Sequence, residues 1–205
     1  MSGREGPEVD LALVFAVDSS GSVSNERMAM YIEGHAQAVT SPQFVAALGN
    51  LPRGRAALAY VAWSNQDRQS YTVPWRVVDG PETAAEWARA LRTAPRPGTG
   101  FTSISGVIDF CHDHLLRVAP PAVRRVIDIV ADGRNNDGRP VAAARDAAVA
   151  AGITINGLPV LENDPYLDDY FAREVVGGPA CFVLPVRDTA TLMDAIRRKL
   201  LAEIA

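Results

Sequence analysis

The sequence predicts an α/β fold: a doubly wound, mostly parallel six-stranded sheet with one antiparallel edge strand and helices on both faces. Strand-length segments alternate with segments of helical periodicity, which predicts parallel strands joined by helices. Two strand segments, Leu11–Val17 and Val126–Ala131, are apolar almost without alternation, as expected of central strands covered on both faces. Two consecutive strand segments meet around Asn65–Gln69, and this predicts a hairpin that adds the antiparallel strand.

The predicted strands are apolar runs bounded by Gly, Pro, Asn or Asp, namely Asp10–Val17, Ala56–Trp63, Tyr71–Val78, Arg125–Ala131, Ile153–Leu161 and Ala180–Pro185. Helical periodicity between them predicts the helices Asn25–Thr40, Pro81–Arg92, Ser103–Val118, Arg139–Ala151 and Asp188–Ala205, with a shorter one around Pro165–Val175. In the last helix, apolar residues at four-residue spacing form one stripe that faces the core, made of Leu192, Ile196, Leu200 and Ile204.

Length and composition indicate one domain. The chain has 205 residues, of which 48% are hydrophobic and 21% charged, enough apolar material for a sizeable core. We expect residues 1–9 to be a disordered or added N-terminal segment and residues 10–205 to be the domain. The net charge is −4 without long runs of one sign, so a nucleic acid is not expected as the partner. No run of 18 apolar residues occurs, so membrane insertion is not expected.

The two cysteines, Cys111 and Cys181, are too few for a disulfide scaffold and lack the spacing of a thiolate zinc site. They could pair only if the fold brought their Cα atoms within about 7 Å, which the sequence leaves open.

Polar side chains follow the first central strand, at the edge of a doubly wound sheet where ligands bind. Asp18, Ser20 and Ser22 alternate there, so a bending loop could turn one carboxylate and two hydroxyls towards a point. Such an all-oxygen set suits Mg²⁺ or Ca²⁺. The alternative is that Ser22 or Ser24 only caps the following helix.

Two further segments extend this set. Asp132 and Gly133 end the second central strand, and if the two strands are neighbours, Asp18 and Asp132 emerge side by side. Two carboxylates would repel each other there unless a cation lies between them. The glycine-rich loop that opens the next helix offers another hydroxyl, from Thr102 or from its rival Thr99, and it lacks the dinucleotide-binding pattern of glycines.

Together, these five positions resemble the metal-ion-dependent adhesion site of von Willebrand factor type A domains. The resemblance covers nearly the whole chain. It implies that the two serines coordinate a Mg-type ion (Mg²⁺, or Mn²⁺ or Ca²⁺) directly, that the threonine and second aspartate do so directly or through water, and that the first aspartate holds a water. Carried over by position, the implied metal site is Asp18, Ser20, Ser22, Thr102 and Asp132.

Within that superfamily, the segments Asp132–Gly138 and Thr154–Pro159 are similar to an uncharacterised group of bacterial exported proteins. Export implies a periplasmic or secreted location with the leader removed, and a cytoplasmic location is the alternative because no signal sequence is seen. An oxidising compartment would permit a bond between Cys111 and Cys181. Asn135, Asn136 and Asp137 either shape the ligand face or simply form a turn.

The resemblance implies a metal-dependent protein-binding module that captures an Asp or Glu of a partner through the ion, rather than an enzyme. The alternative is a Mg-dependent phosphoryl-transfer or hydrolytic enzyme at the same sheet edge. An enzyme needs a base or nucleophile beside the ion, and the motifs contain no histidine or lysine. The sequence leaves the identity of the partner and the oligomeric state open.

Overall fold

The computed structural model describes residues 8–95 and 98–205. Its strands are β1 (Val9–Asp18), β2 (Ala56–Trp63), β3 (Gln69–Val78), β4 (Ala122–Ala131) and β5 (Thr154–Pro159). They form one sheet in the order β3-β2-β1-β4-β5. β3 pairs antiparallel with β2 at one edge, and the other pairings are parallel. The predicted mostly parallel sheet with one antiparallel edge strand is therefore confirmed, but with five strands instead of six.

Helices cover both faces of this sheet. They are α1 (Asn25–Val39), α2 (Pro42–Gly49), α3 (Pro81–Thr93), α4 (Ile104–Arg117), α5 (Val141–Ala150), α6 (Leu167–Tyr170) and α7 (Leu192–Ile204). A π-helical turn, Phe171–Val175, continues α6, and a 3₁₀ turn, Thr189–Thr191, precedes α7. The sequence analysis missed α2, a short helix that Ser41 caps with its side chain.

The core consists of two apolar layers, one on each side of the sheet. Leu11, Leu13 and Phe15 of β1 pack into the layer under α1, α3 and α7. Val14 and Ala16 face the opposite layer, under α4 and α5. Both faces are covered, so all ten residues of β1 are buried, and the strand needs no alternation of apolar and polar residues.

The prediction of a sixth strand, Ala180–Pro185, is wrong, because this segment does not form a regular strand. This segment runs beside β5 but makes only isolated bridges to it. Ala180 has a φ of 55°, which is incompatible with extended backbone. The backbone N–H of Phe182 donates to the Asn156 side chain at 3.0 Å, and Pro185 has no N–H to donate. Regular pairing is therefore interrupted.

At the N-terminus, β1 begins at Val9, and the N–H of Glu8 donates to the carbonyl of Pro121 at 2.7 Å. These two residues thus belong to the folded part of the chain, although we expected the domain to begin at residue 10. Residues 1–7, the remainder of the expected N-terminal segment, lie outside the described residues.

Neither cysteine forms a disulfide. Cys111 is buried in α4, Cys181 is partly exposed beside β5, and both are free thiols. Among the helices in the described ranges, none combines the length and the hydropathy needed to cross a membrane.

Candidate metal centre

The candidate centre lies where the carboxyl ends of β1 and β4 meet. These strands are parallel neighbours, with Val17 opposite Val130. Asp18 is the last residue of β1, and Asp132 follows the last residue of β4. Both aspartates are buried. The two carboxylates that the sequence placed on separate strands therefore share one edge of the sheet.

Asp18 is the most deeply buried member of the set, with none of its surface exposed. Its Oδ1 accepts a 2.7 Å hydrogen bond from the backbone N–H of Ser20. Its Oδ2 has no hydrogen-bond partner among the described residues. Burial raises the pKa of Asp18 to about 7, hydrogen bonds from Ser20 oppose this shift, and the charge of Asp132 adds to it. Within the described ranges, one carboxylate oxygen is thus buried without a hydrogen-bond partner.

The two serines connect the aspartates. Ser22 Oγ donates to Asp132 Oδ1 at 2.6 Å, and the hydroxyl oxygens of Ser20 and Ser22 are 3.2 Å apart. Ser22 does not cap the following helix, since Ser24 accepts from the N–H of Arg27 and is the N-cap of α1. The hydroxyls of Ser20 and Ser22 consequently face the carboxylates.

Thr102 enters the same site from a second loop. It is buried, and it lines a shallow cavity of about 340 Å³ together with Ser22 and Asp132. The N–H of Gly21 donates to the carbonyl of Gly100 at 2.9 Å, which joins this loop to the serine loop. Its rival Thr99 is exposed, so the structure brings Thr102 to the site.

The threonine loop is fixed by amide side chains. The N–H of Phe101 donates to Asn65 Oδ1 at 2.7 Å, and a Cβ on Gly100 would collide with that same oxygen and displace the Asn65 side chain. The N–H of Thr102 donates to Asn136 Oδ1 at 2.8 Å, and the N–H of Asn136 donates back to the carbonyl of Thr102 at 2.9 Å. These contacts hold the Thr102 loop beside Asp132.

The segment after Asp132 forms hydrogen bonds to neighbouring segments of the chain. Ligand contact and a simple turn were the two alternatives for it. Asn135 Oδ1 accepts from the N–H of Ser105 at 3.0 Å, and Asp137 Oδ2 accepts from the N–H of Gln66 at 2.7 Å. Together with Asn136, these side chains tie the Asp132 loop to the start of α4 and to the loops that precede α4 and β3.

The sequence analysis missed two charged residues beside the centre. Arg27, in the first turn of α1, donates from Nη1 to Asp132 Oδ2 at 2.6 Å and also pairs with Glu162. The sequence carried a signal for Arg27, because helices favour acidic residues in the first turn and disfavour basic ones. Glu162, in the loop after β5, carried no comparable signal.

The donor set consists of oxygen atoms from two carboxylates and three hydroxyls, and oxygen ligands are those that Mg²⁺, Mn²⁺ and Ca²⁺ prefer. No group of three or more His, Cys, Asp or Glu suited to a metal occurs among the described residues. The Oδ2 of Asp18 is the observation that fits a cation here, because a positive charge would compensate a buried oxygen that has no hydrogen-bond partner among the described residues.

Solved structures share this architecture. The chain matches a von Willebrand factor type A protein from Catenulispora acidiphila with 18% identity and a TM-score of 0.66, over 95% of this chain and 43% of that one. It matches proximal thread matrix protein 1 from the mussel byssus, described with a zinc-occupied MIDAS motif, with 15% identity and a TM-score of 0.68, over 96% and 49%. It matches the pilus adhesin SpaC from Lactobacillus rhamnosus GG with 14% identity and a TM-score of 0.70, over 98% and 31%.

The chain spans less than half the length of each of these proteins, and at such identities the similarity shows the fold alone. The sheet order and the antiparallel edge strand are those of the von Willebrand factor type A fold. A comparison with curated proteins finds no match. The chain belongs to the family described as a protein of unknown function (DUF1194), whose model matches residues 8–205.

Proposed function

We propose that the chain is a divalent-metal-dependent protein-binding module that captures an acidic residue of a partner. The observation that carries this proposal is the Oδ2 of Asp18, which is buried without a hydrogen-bond partner among the described residues and lies beside a second buried carboxylate, that of Asp132. The Ser22 hydroxyl contacts both Asp132 and the Ser20 hydroxyl, and Thr102 lines the same cavity. This chemistry suits Mg²⁺, with Mn²⁺ or Ca²⁺ as alternatives.

In this proposal, Ser20 and Ser22 bind the ion directly, Thr102 and Asp132 do so directly or through water, and Asp18 holds a water. A bound ion supplies a positive charge for an incoming carboxylate. The direct serine ligands are neutral, so where the carboxylates of Asp18 and Asp132 act through water, the ion keeps positive charge for an anion in the open cavity. The partner is therefore a protein that presents Asp or Glu.

Metal binding is tested first, by calorimetry with Mg²⁺, Mn²⁺, Ca²⁺ and Zn²⁺. Ser22→Ala should weaken binding at least tenfold, because a ligand is lost. Ser24→Ala is the matched control: it removes the N-cap of α1, costs about 1 kcal/mol of stability, and should leave metal affinity unchanged. Equal metal binding by the parent protein and Ser22→Ala would contradict the site.

Partner binding is tested by capture with Mg²⁺ and with chelator from the cell envelope of the source organism. An envelope location, periplasmic or secreted, is supported by the similarity in fold to a pilus adhesin. A true partner should lose at least tenfold in affinity, about 1.4 kcal/mol, when its contacting acid is changed to the amide. A partner that binds equally well with chelator and after that change would refute the mechanism.

A Mg-dependent phosphoryl-transfer or hydrolytic enzyme remains the second candidate. Such an enzyme needs a general base or nucleophile beside the ion. Four ionisable side chains beside the centre are held in ion pairs: Arg27 with Asp132 and Glu162, and Arg134 with Asp164, the last two lining the cavity. Incubation with phosphate esters, with and without Mg²⁺, distinguishes the two: turnover that requires Mg²⁺ would favour the enzyme.

A further inference from the structure

Arg27 is an unusual neighbour for a cation site. Its side chain is only 10% exposed, and it bridges the fully buried carboxylate of Asp132 and the half-exposed carboxylate of Glu162. One oxygen of Asp132 accepts from Ser22 and the other from Arg27, so both are already in use. A fixed positive charge thus lies against a carboxylate of the proposed metal centre.

This position is costly for the helix, which favours negative charge at its N-terminus. Two carboxylates compensate the charge of Arg27. Asp132 lies 105 positions further along the chain, and Glu162 lies in the loop after β5. Without Arg27, Asp132 would have no ion-pair partner among the described residues. The arginine therefore stabilises the metal-free edge of the sheet.

The same charge opposes a divalent cation. Two positive charges a few ångströms apart in a partly buried site repel each other by an amount that changes affinity about tenfold or more. Glu162 acts in the opposite direction, because its negative charge offsets that of Arg27. Glu162 also accepts a 3.3 Å hydrogen bond from Thr189, in the turn before α7, which holds it in place.

We propose that Arg27 is a positioning residue: it pairs with Asp132 in the metal-free protein and so sets the affinity of the metal centre. Glu162 opposes this effect of Arg27. This inference rests on the proposed metal-binding function. It makes Arg27 and Glu162 act with opposite signs on metal binding, which a purely structural role for the bridge would not do.

The experiment measures the affinity for Mn²⁺ by calorimetry in the purified parent protein and its variants. Arg27→Gln should bind Mn²⁺ about tenfold more tightly than the parent, because the opposing charge is gone. Glu162→Gln should bind it a few-fold more weakly, because Arg27 then pairs with Asp132 alone. Arg27→Lys keeps the charge and should stay within about threefold of the parent.

The matched controls are Arg92→Gln and Glu33→Gln. These residues form an exposed two-hydrogen-bond pair between α3 and α1, with distances of 2.8 and 2.9 Å, remote from the sheet edge. Both controls should bind Mn²⁺ as the parent does. Thermal unfolding with chelator should show Arg27→Gln less stable than the parent, whereas Glu162→Gln, a half-exposed change, should remain folded.

Each outcome decides the inference. Tighter Mn²⁺ binding by Arg27→Gln together with weaker Mn²⁺ binding by Glu162→Gln supports the inference. Weaker or unchanged binding in Arg27→Gln, or an Arg27→Lys variant that binds as tightly as Arg27→Gln, overturns it while leaving the metal site intact. If the parent binds no divalent ion, the proposed function fails and the inference fails with it. If Arg27→Gln does not fold, unchanged or tighter binding by Glu162→Gln overturns the inference, and weaker binding supports it.

Discussion

Two buried aspartates of β1 show how partners decide what a carboxylate does. Asp10, near the start of the strand, accepts backbone hydrogen bonds from the N–H groups of Arg53 and Arg55, at 3.0 and 3.3 Å to Oδ2. Asp18, at the end, has one oxygen without a partner among the described residues. The first carboxylate is compensated by the protein, and the second is available to a ligand.

This contrast gives a pair of opposite expectations. Asp18→Asn removes a charge that burial disfavours, so it should abolish metal binding and leave the metal-free protein at least as stable as the parent. Asp10→Asn replaces an ionised acceptor of backbone N–H groups, so it should cost about 1 to 3 kcal/mol and leave metal binding unchanged. Calorimetry and urea unfolding at pH 8 with chelator measure both. A folded Asp18→Asn variant that still binds metal would exclude Asp18 from the site.

His35 illustrates how burial controls titration away from the metal centre. It is buried between the rings of Phe15 and Tyr60, and its Nδ1 is 2.7 Å from the carbonyl of Tyr31. Burial lowers the pKa of His35 to about 4, the hydrogen bond to Tyr31 opposes the shift, and the charge of Lys199 adds to it. The imidazole is therefore neutral in the folded protein.

A pH dependence follows from this shift. The unfolded chain takes up a proton on His35 near pH 6.5 and the folded protein only near pH 4, so stability falls as the pH drops through this window, by up to about 3 kcal/mol. His35→Gln cannot titrate. Its stability relative to the parent should therefore improve between pH 7 and pH 4, as measured by urea unfolding. If the stability difference between the parent and His35→Gln were the same at pH 7 and pH 4, the lowered pKa of His35 would be contradicted.

Among the helices, α7 is tied to the sheet by buried charges. Lys199 is 1% exposed, and its ammonium pairs with Asp128 of β4 and, at 2.6 Å, with Glu203 of its own helix. Burial raises the pKa of both carboxyl groups, and the charge of Lys199 opposes these shifts. A helix with such a contact has a fixed register, because sliding would leave the charges unpaired in the core.

Lys199→Met keeps the apolar bulk and removes the charge. It should destabilise the protein by about 3 to 5 kcal/mol, because two buried carboxyl groups lose their partner. Arg197→Met, in the exposed pair with Asp194 on the same helix, should cost less than about 1 kcal/mol. Urea unfolding measures both variants.

The pH dependence of this effect is the reverse of that for His35. Carboxyl groups with a raised pKa bind more protons in the folded state than in the unfolded chain, so stability rises as the pH falls. Loss of Lys199 raises the pKa values of Asp128 and Glu203 further. The stability lost in Lys199→Met should thus be smaller at acid pH. A loss of stability that grows at acid pH would contradict the pairing of Lys199 with Asp128 and Glu203.

For the whole molecule, the candidate centre joins three loops that are distant along the chain: those after β1, before α4 and after β4. An ion bound to all three stabilises only the folded state. At a free concentration 100 times its Kd, the gain is about 2.7 kcal/mol, which is a rise in Tm of several degrees. Calorimetric scans with Mg²⁺ and with chelator measure it.

Asp18→Asn is the control for this experiment, and its Tm should not respond to Mg²⁺. A rise in the Tm of both proteins would indicate binding elsewhere. A parent protein with the same Tm in Mg²⁺ and in chelator would contradict the proposed centre.

Several elements were predictable because their signals are local. The alternation of strand and helix segments, and the unbroken apolar runs of β1 and β4, were sufficient for the fold class. The sixth strand was predicted wrongly because its failure depends on a contact: the Asn156 side chain accepts from the N–H of Phe182, and the φ of Ala180 is 55°. The helix α2 was missed because its eight residues are too few for a clear period.

The sequence by itself determined which polar residues end the central strands, because the spacing of Asp18, Ser20 and Ser22 and the position of Asp132 after an apolar run are visible without the fold. Only the tertiary structure decided that one oxygen of Asp18 has no hydrogen-bond partner among the described residues, that Asn136 holds Thr102, and that Arg27 pairs with Asp132. The physical reason is that a strand or helix follows from neighbours along the chain. Burial and charge pairing depend on distant segments, and these meet only when the whole chain has packed.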